Sequence, residues 1–194
     1  MEEPRGGAAR PGDVIAGKYR LEELIGQGGF GVVFRAVQLN LERQVAIKMM
    51  LPQALARGDG LARFLREADL ARKLEHPNTV RLYDCGEAEG GVPYIALELL
   101  RGRPVDVAIR DDGPFEVGRA ARIGVQALKS LMEAHALGIV HRDIKPSNLF
   151  LCEFSGERDY VKLLDFGIAK VEGSAATLGG TMLGTPAYMS PEQV

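Results

Sequence analysis

Four short stretches of the sequence place glycines, lysines and carboxylates at spacings that suit phosphate chemistry. The first is GQGGFGVV, Gly26 to Val33, which fits the pattern G-x-G-x-x-G-x-V. Glycines let a backbone approach phosphate groups closely and turn its N–H groups toward them. A strand is predicted to follow, which favours a phosphate-covering hairpin loop over a dinucleotide-binding turn, since a helix would follow the latter. A tight hairpin whose glycines are only structural is the alternative.

The second stretch is VAIK, which puts Lys48 in an apolar strand. A lysine there needs either a partner or a path for its ammonium group to water. In the functional interpretation, Lys48 holds nucleotide phosphates and a carboxylate holds Lys48. Glu67 is the candidate, because it lies on the flank of the apolar stripe of a predicted helix. A lysine that reaches solvent and a solvated glutamate are the alternatives.

The third stretch, HRDIKPSN from His141 to Asn148, is the most specific in the chain. Phosphoryl transfer to a hydroxyl needs a group that accepts or orients the hydroxyl proton, a cation near the phosphoryl group, and a hard oxygen ligand for a metal. Asp143, Lys145 and Asn148 supply these three groups. A chance run of polar loop residues explains the set poorly.

The fourth stretch is LDFG, Leu164 to Gly167, at the end of a predicted strand. Asp165 offers a second oxygen ligand for Mg²⁺. Phe166 is apolar and can pack, so its placement could move Asp165 into or out of a site. A lone DFG is common by chance, whereas a DFG one strand hairpin after HRD-x4-N is not.

The elements that would position the first two stretches form a small, mostly β lobe. Strands are predicted over 19–25, 32–37, 45–50, 80–85 and 93–99 from apolar runs bounded by turn residues. A helix is predicted over 58–75, and it ends at His76-Pro77-Asn78. Its apolar stripe comprises Leu61, Phe64, Leu65, Ala68 and Arg72.

The pattern changes after Leu99. Residues 101–104 are predicted to be a connector, and 116–137 a long helix that Gly138 caps. The apolar face of this helix comprises Ile123, Ala127, Leu131 and Ala134. Short strands are predicted over 149–151 and 161–164, on either side of a polar hairpin. No periodicity is present from Gly167 onward, and so long a loop is usually functional or disordered.

Composition excludes several classes of protein. The 194 residues carry a net charge of −2, so no basic surplus predicts nucleic-acid binding, and no long uncharged apolar run predicts a membrane span. Cys85 and Cys152 are far apart and lack metal-ligand spacing, which fits a reducing compartment such as the cytoplasm. Residues 1–16 lack the apolar core of a signal peptide and are predicted to be a disordered lead-in.

Taken in order, the four stretches resemble the eukaryotic-type protein kinase family. The resemblance covers residues 17–194 and includes a relative of A-P-E, written here as Ser190-Pro191-Glu192. Lys145 in the catalytic loop is similar to the serine/threonine branch of the family. The run GTPAYMSPEQ is similar to bacterial serine/threonine kinases.

The resemblance implies an α+β, two-lobed fold that binds ATP with Mg²⁺ between its lobes. Residues 17–100 would form a small antiparallel β lobe with one helix, and 101–194 part of a mainly helical second lobe. The implied activity is transfer of the γ-phosphoryl group of ATP to a serine or threonine hydroxyl of a protein substrate. Neither a nucleic-acid partner nor a membrane segment is implied for this chain. The implied location of this part is cytoplasmic, with a membrane span after the kinase domain of a longer chain left open.

The same resemblance assigns the nucleotide-binding residues. Adenine would lie between Val33 and Ala46, with Leu97 as the gatekeeper. Glu98 and Leu100 would offer backbone groups at the hinge. The phosphates would lie under the glycine loop, whose residues are Gly26, Gln27, Gly28, Gly29, Phe30 and Gly31.

It also assigns the catalytic residues. Asp143 would accept or orient the hydroxyl proton, with Lys145 beside it, and Asn148 and Asp165 would hold magnesium. Lys48, paired with Glu67, would complete the catalytic set. Thr185 would shape the pocket beside the acceptor residue of the substrate.

Regulation by phosphorylation is implied by Arg142, which precedes Asp143 as in kinases that activation-loop phosphorylation controls. A phosphate added to the loop can pair with such an arginine and order the loop. Thr181, and then Thr177, are the candidate autophosphorylation sites, because they lie between Gly167 and Ser190. A flexible loop that happens to hold threonines is the alternative, above all for Thr177.

The family pattern would continue beyond Val194, since GTPAYMSPEQV corresponds to the end of the activation segment. Two hypotheses follow. The chain is a protein kinase domain given as part of a longer protein, or it is a nucleotide-binding or interaction module with little or no transferase activity. A small-molecule phosphotransferase is disfavoured by the long activation segment and by Thr185 with Ser190-Pro191-Glu192.

Overall fold

The computed structural model describes residues 9–28, 31–51, 60–154, 156–165 and 186–190. They belong to two compact units. Unit 1 takes residues up to Asp69 together with Arg81–Leu99. Unit 2 takes Leu70–Val80 together with residues from Leu100 onward.

Unit 1 is built on a six-stranded antiparallel sheet. Its strands are β1 (Val14–Ile15), β2 (Tyr19–Gln27), β3 (Gly31–Gln38), β4 (Arg43–Met50), β5 (Leu82–Ala88) and β6 (Val92–Glu98), in the spatial order β1-β2-β3-β4-β6-β5. Four strands lie within two residues of their predicted bounds, whereas β5 begins two residues later and ends three residues later than predicted. β1 lies inside the predicted lead-in, and a two-residue strand is too short for an alternating pattern to reveal it.

Apolar side chains pack on both faces of this sheet, because successive side chains of a strand point to opposite faces. One face carries a core of Tyr19, Leu21, Phe34, Ala36, Val45, Ile47, Met49, Tyr94 and Ala96. On the other face, Met50 and Ile95 pack with Phe64 and Ala68 of helix α1 (Gly60–Ala71). The sheet therefore offers two distinct environments, and only one of them faces α1.

Helix α1 departs from the predicted helix over 58–75. It ends at Ala71, where the N–H groups of Lys73 and Leu74 donate to carbonyls only three residues back. Leu74 is buried beside Ala134 and Ile139 in unit 2, so the chain turns to satisfy a packing contact that helical periodicity does not encode.

The predicted apolar stripe of α1 is too wide. Leu61, Leu65 and Arg72 are exposed, and burial is confined to Phe64 and Ala68, one turn apart. Among the described side chains of this helix, Phe64 and Ala68 pack against the sheet. Its predicted start falls on residues outside those that the structure describes.

In its described residues, unit 2 combines a three-stranded antiparallel sheet with two α-helices. The strands are β7 (Gly102–Pro104), β8 (Leu149–Phe154) and β9 (Glu157–Leu163), and the helices are α2 (Val105–Asp112) and α3 (Val117–Ala136). The sequence predicted a connector where β7 lies, and it did not predict α2. β7 forms because Gly102 lies so close to the carbonyl of Leu151 that a side chain at Gly102 would overlap it.

Helix α3 matches the predicted helix 116–137 within one residue at each end. Glu116 caps its start by accepting the N–H of Arg119 at 3.2 Å. At its end, Gly138 takes a left-handed φ of +72° and donates its N–H to the carbonyl of His135 at 3.0 Å. The N–H of Ile139 donates to the carbonyl of Ala134 at 2.8 Å, which completes a Schellman motif. Among the described residues no helix, α3 included, is long and apolar enough to cross a membrane.

Candidate active site

The glycine stretch spans the end of β2 and the start of β3. Gly26 and Gln27 end β2, and the N–H of Gly28 donates to the carbonyl of Gly31 at 2.9 Å. At Gly31 a Cβ atom would stand 2.5 Å from the carbonyl oxygen of Met49. The close approach of the β3 and β4 backbones therefore requires glycine at this position.

Four residues assigned to the nucleotide site lie on one face of the unit 1 sheet. Val33 on β3 is directly opposite Lys48 on β4, and Ala46 lies two residues before Lys48. Leu97 on β6 is opposite Ala46. Cross-strand partners share a face, so Val33, Ala46, Lys48 and Leu97 project to the face that α1 contacts. The structure thus brings together the predicted adenine and phosphate residues of β3 and β4.

The end of β6 carries the predicted hinge residues. The backbone N–H of Glu98 donates to the carbonyl of Arg81 at 2.9 Å, and its carboxylate accepts the N–H of Arg81 at 2.7 Å. Leu100 follows as an irregular, half-buried residue. Glu67 lies on α1, one residue before the buried Ala68, and its side chain is outside the described set. The pairing of Lys48 with Glu67 stays a prediction.

Asp143 lies in a loop of unit 2, where it contacts Lys145 and Asn148 from the same loop. The ammonium group of Lys145 is 2.7 Å from Asp143 Oδ2. The side-chain amide of Asn148 donates to the backbone carbonyl of Asp143 at 2.8 Å and to Oδ2 at 3.1 Å. Asn148 ends a 3-10 turn that begins at Pro146, and its N–H donates to the carbonyl of Lys145 at 3.0 Å. The structure therefore brings together the three residues predicted to act on the phosphoryl group.

This ion pair is only partly open to water. The side chains of Asp143 and Lys145 are 25% and 23% exposed. Asn148 beneath them is buried. Because water screens such a pair less than a fully exposed one, the loop has a defined charge arrangement before any ligand binds.

His141 is a functional candidate that the sequence interpretation missed. The ring is buried, its Nε2 lies 2.9 Å from the carbonyl oxygen of Leu164, and its Nδ1 accepts the N–H of Asp143 at 3.3 Å. Both contacts are satisfied by one neutral tautomer, with the proton on Nε2. Burial lowers the pKa of His141, which favours that neutral form. The position of His141 directly before Arg142 and Asp143 was the signal for it in the sequence.

Asp165 is placed by the residue before it. The N–H of Leu164 donates to the carbonyl of Asn148 at 2.9 Å, so the segment carrying Asp165 is tied to the turn carrying Asn148. Asp165 and Arg142 both take positive φ values, +41° and +61°. Such conformations are costly for residues with a Cβ atom and concentrate at functional sites.

Several predicted residues lie outside the described part of the chain. They are Gly29 and Phe30 of the glycine loop, Phe166 and Gly167 after Asp165, Thr177, Thr181 and Thr185, and Pro191 with Glu192. Their assigned roles stay predictions.

Residues 19–194 match the family model described as the protein kinase domain. The chain belongs to the protein kinase family. Among curated proteins, the serine/threonine-protein kinase pkn3 of Myxococcus xanthus is 45% identical over 187 residues, which cover 94% of this chain and 34% of pkn3. The serine/threonine-protein kinase PknA of Mycobacterium tuberculosis is 36% identical over 189 residues, which cover 95% of this chain and 43% of PknA. The kinase-family chain thus spans less than half the length of both relatives.

The fold of this kinase-family chain is also found in solved structures. A crystal structure of the Mycobacterium tuberculosis PknI kinase domain matches it with a TM-score of 0.72 and 30% sequence identity, over 84% of this chain and 64% of the PknI chain. The predicted α+β, protein-kinase-like fold is therefore confirmed. The bacterial serine/threonine branch of the family, predicted from the catalytic loop and the GTPAYMSPEQ run, is confirmed by the relatives.

Proposed function

We propose that the chain is a serine/threonine protein kinase domain, which transfers the γ-phosphoryl group of ATP to a serine or threonine hydroxyl of a protein. The observation that carries the proposal is the set of contacts around Asp143, because it joins a base, a cation and a metal-ligand type in one loop. Membership of the protein kinase family supports the same activity.

Asp143 would accept or orient the proton of the acceptor hydroxyl. Lys145 and Asn148 both contact Oδ2 of Asp143, and neither contact involves Oδ1. We assign Oδ1 to the acceptor hydroxyl. A positioned carboxylate within hydrogen-bond reach of a reacting hydroxyl is the geometry that general-base catalysis needs.

Two lysines would balance the negative charge of the phosphates. Lys145 is held beside Asp143, where its ammonium group can also face the phosphoryl group in transfer. Lys48, on the sheet of unit 1, would contact the other phosphates, and Glu67 would hold Lys48. A lysine acts here as a mobile point charge, which suits groups that change geometry as the reaction proceeds.

The residues of unit 2 fit a divalent cation, and we propose Mg²⁺. Asp165 is exposed. The side-chain nitrogen of Asn148 donates a hydrogen bond to Asp143, so its amide oxygen can be offered to a cation. The described residues include no group of three or more His, Cys, Asp or Glu that could hold a metal. Two oxygen ligands suit Mg²⁺, which usually takes one or two protein ligands and completes its shell with phosphates and water. When bound, ATP supplies the phosphoryl group, and the cation supplies the positive charge that offsets the negative charge developing on that group.

The remaining nucleotide contacts are proposed from unit 1. Val33 and Ala46 offer an apolar surface to adenine, and the backbone of Glu98 and Leu100 offers it hydrogen bonds. The stretch that includes Gly26, Gln27, Gly28 and Gly31 would cover the phosphates, together with Gly29 and Phe30. These assignments use the shared face of β3 and β4 and the pairing of β2 with β3.

Substrate choice and regulation extend the proposal. The acceptor would be a protein serine or threonine, beside Thr185, and autophosphorylation would occur at Thr181 or Thr177. Arg142 would form an ion pair with the phosphate added to the threonine, since arginine pairs well with phosphate. A cytoplasmic location fits an enzyme that uses ATP.

Transfer of radioactive phosphate from γ-labelled ATP to casein tests this proposal. We expect phosphoserine and phosphothreonine without phosphotyrosine. Asp143→Asn should lower the rate by about 100- to 10,000-fold, the usual contribution of a positioned general base. Asp106→Asn, an exposed aspartate on α2, is the matched control and should leave the rate unchanged.

Two results would count against the proposal. Equal rates for the native chain and Asp143→Asn would remove Asp143 from the chemistry. ATP binding without transfer to any acceptor would favour the alternative, a nucleotide-binding or interaction module without transferase activity.

A further inference from the structure

Among the described residues, strand β9, which leads to Asp165, has a neighbouring strand on one of its edges and a single parallel bridge, between Thr79 and Leu163, on the other. β8 pairs with it on the first of these edges. On the other edge, backbone groups of Asp159, Val161 and Leu163 bond to residues outside the sheet. These are every second residue of β9, as expected for groups that share an edge of an extended strand.

Two amide side chains occupy most of that second edge. Gln126 of α3 donates its Nε2 to the carbonyl of Asp159 at 3.0 Å, and its Oε1 accepts the N–H of Val161 at 2.9 Å. Asn78 donates its Nδ2 to the carbonyl of Val161 at 2.8 Å, and its backbone carbonyl accepts the N–H of Leu163 at 2.7 Å. We call Gln126 and Asn78 the β9 clamp.

The two side chains of the β9 clamp bond to each other; Asn78 is buried and Gln126 is half-buried. Asn78 Nδ2 also donates to Gln126 Oε1 at 3.2 Å, so the two side chains form one network. Asn78 is 5% exposed. Hydrogen bonds in such an environment are costly to lose, because a buried donor or acceptor is then left without a partner.

Pairing with β8 is irregular at the start of β9, where the clamp begins. The register shifts between Cys152 and Phe154, and Asp159 takes a left-handed φ of +62°. An irregular hairpin end specifies the position of a strand weakly. The clamp contacts Asp159 within this irregularity and Val161 directly after it, so it fixes where the regular part of β9 starts.

Backbone hydrogen bonds hold the segment between the β9 clamp and Asp165, the candidate metal ligand. The carbonyl of Leu163 accepts the N–H of Val80 at 3.0 Å, and the N–H of Leu164 donates to Asn148 at 2.9 Å. Asp165 follows at once. A shift of β9 along its axis would therefore move Asp165 relative to Asn148.

We propose that Gln126 and Asn78 are positioning residues for Asp165, and that by holding the outer edge of β9 they set the affinity of the chain for its divalent cation. This inference rests on the proposed function, in which Asp165 and Asn148 are the metal ligands. Neither clamp residue contacts the reacting groups, so their effect passes entirely through β9.

Binding of Mn²⁺ in the presence of a non-hydrolysable ATP analogue, followed by electron paramagnetic resonance, tests the inference without catalysis. Gln126→Met keeps the side-chain length and removes all three of its hydrogen bonds. We expect the Mn²⁺ concentration for half-saturation to rise about tenfold, the lower end of the effect of residues that orient metal ligands. Lys129→Met, on the exposed face of the same helix, should leave it unchanged.

Amide hydrogen exchange shows whether the clamp acts where we place it. The N–H groups of Val161 and Leu163 should exchange faster in Gln126→Met, and the N–H of Asn148 at its native rate. If Gln126→Met does not fold, Gln126→Glu decides the matter. It keeps the acceptor oxygen for Val161 and Asn78, and it should give the same changes to a smaller extent.

Unchanged Mn²⁺ affinity despite faster exchange at Val161 would overturn the inference, since the clamp would then only stabilise the fold. Failure of the native chain to bind Mn²⁺ would also overturn it. Phosphate transfer by the native chain, measured in parallel, reports on the proposed function separately. A native chain that transfers phosphate while both clamp variants bind Mn²⁺ normally would leave the function standing and remove only the clamp role.

Discussion

At the scale of single residues, two aspartates of unit 2 are held by different partners. Asp143 is held by a lysine and an amide, which leave one carboxylate oxygen outside their contacts. Asp159 is held by both arms of Arg119, at 2.8 Å each. The hydrogen bonds from Arg119 lower the pKa of Asp159. A fully engaged carboxylate of this kind stabilises structure, whereas a partly engaged one can serve chemistry.

A third aspartate, Asp84, joins buried groups of unit 1. Its Oδ2 accepts from the hydroxyls of Tyr19 and Tyr94 at 2.9 and 3.3 Å and lies 3.2 Å from the ammonium of Lys18. Burial raises the pKa of Asp84, but the hydrogen bonds from Tyr19 and Lys18 lower it by more. Burial and the same carboxylate raise the pKa of Tyr94 to about 12. The cluster is therefore ionised at Asp84 and neutral at both tyrosines near neutral pH.

The Arg119–Asp159 pair predicts a pH-dependent stability. The folded-state pKa of Asp159 lies below its unfolded value of about 3.9. The pair therefore contributes stability above that pH and loses it as the pH falls through the lowered pKa. Asp159→Asn should reduce the free energy of unfolding by about 1 kcal/mol at pH 7, as for a partly buried, two-armed pair. Urea unfolding at pH 7 and pH 3 measures this.

The difference between Asp159→Asn and the native chain should shrink at pH 3, because pH 3 lies below the unfolded-state pKa of about 3.9 and the unfolded carboxylate binds a proton there that the folded pair resists. Asp106→Asn, an exposed substitution on α2, is measured in parallel as the control. An equal loss at both pH values would contradict the electrostatic explanation.

Contacts between residues close in the sequence could be predicted from it, whereas contacts between residues far apart in the sequence could not. Asp143, Lys145 and Asn148 lie within six residues, so their motif implies their meeting. His141 meets Leu164 twenty-three residues away, and Asn78 meets Val161 eighty-three residues away. No spacing rule links such pairs. A polar Gln126 on the buried side of a predicted helix was the one available signal for the clamp.

At the scale of elements, the C-terminal end of helix α3 supports the loop that carries Asp143. Its last turn closes through Gly138, whose left-handed φ lets Ile139 turn back against Ala134. Ile139 is buried and begins the segment that leads to His141. The cap therefore determines where the loop leaves the helix.

Two glycine substitutions in or beside α3 should have opposite effects. Gly138→Ala forces a Cβ atom into a left-handed conformation and should lower the free energy of unfolding by about 1 kcal/mol. Gly124→Ala lies in the helix interior, where a Cβ atom meets nothing within 4 Å, and should raise it by about 0.5–1 kcal/mol. Urea unfolding of both variants measures this. A loss of similar size in both would contradict the role given to the cap.

Elements with strong periodicity were predicted well, and short ones were not. Twenty residues of α3 repeat the helical pattern many times, whereas β7 has three residues and β1 has two. β7 is created by the close approach of Gly102 to Leu151, and α1 ends early because Leu74 is buried in unit 2. Both outcomes depend on contacts between distant segments, which override local preference.

At the scale of the whole molecule, the assigned residues are divided between two units. Unit 1 carries the glycine stretch and Lys48, and unit 2 carries Asp143, Asn148 and Asp165. The order of the motifs along the chain was sufficient to predict the family, because each motif fell on the element that its chemistry needs. The side chain of Glu67 and the loop threonines lie outside the described residues, so their roles rest on the sequence alone.

Intact mass of the purified chain, before and after incubation with Mg²⁺ and ATP, tests the central claim most directly. We predict that the native chain gains whole phosphate groups and that Asp165→Asn, which removes one proposed metal ligand, gains none. An unchanged mass of the native chain would contradict transferase activity in this chain. Equal phosphate gain in Asp165→Asn would contradict the site that we assign to it.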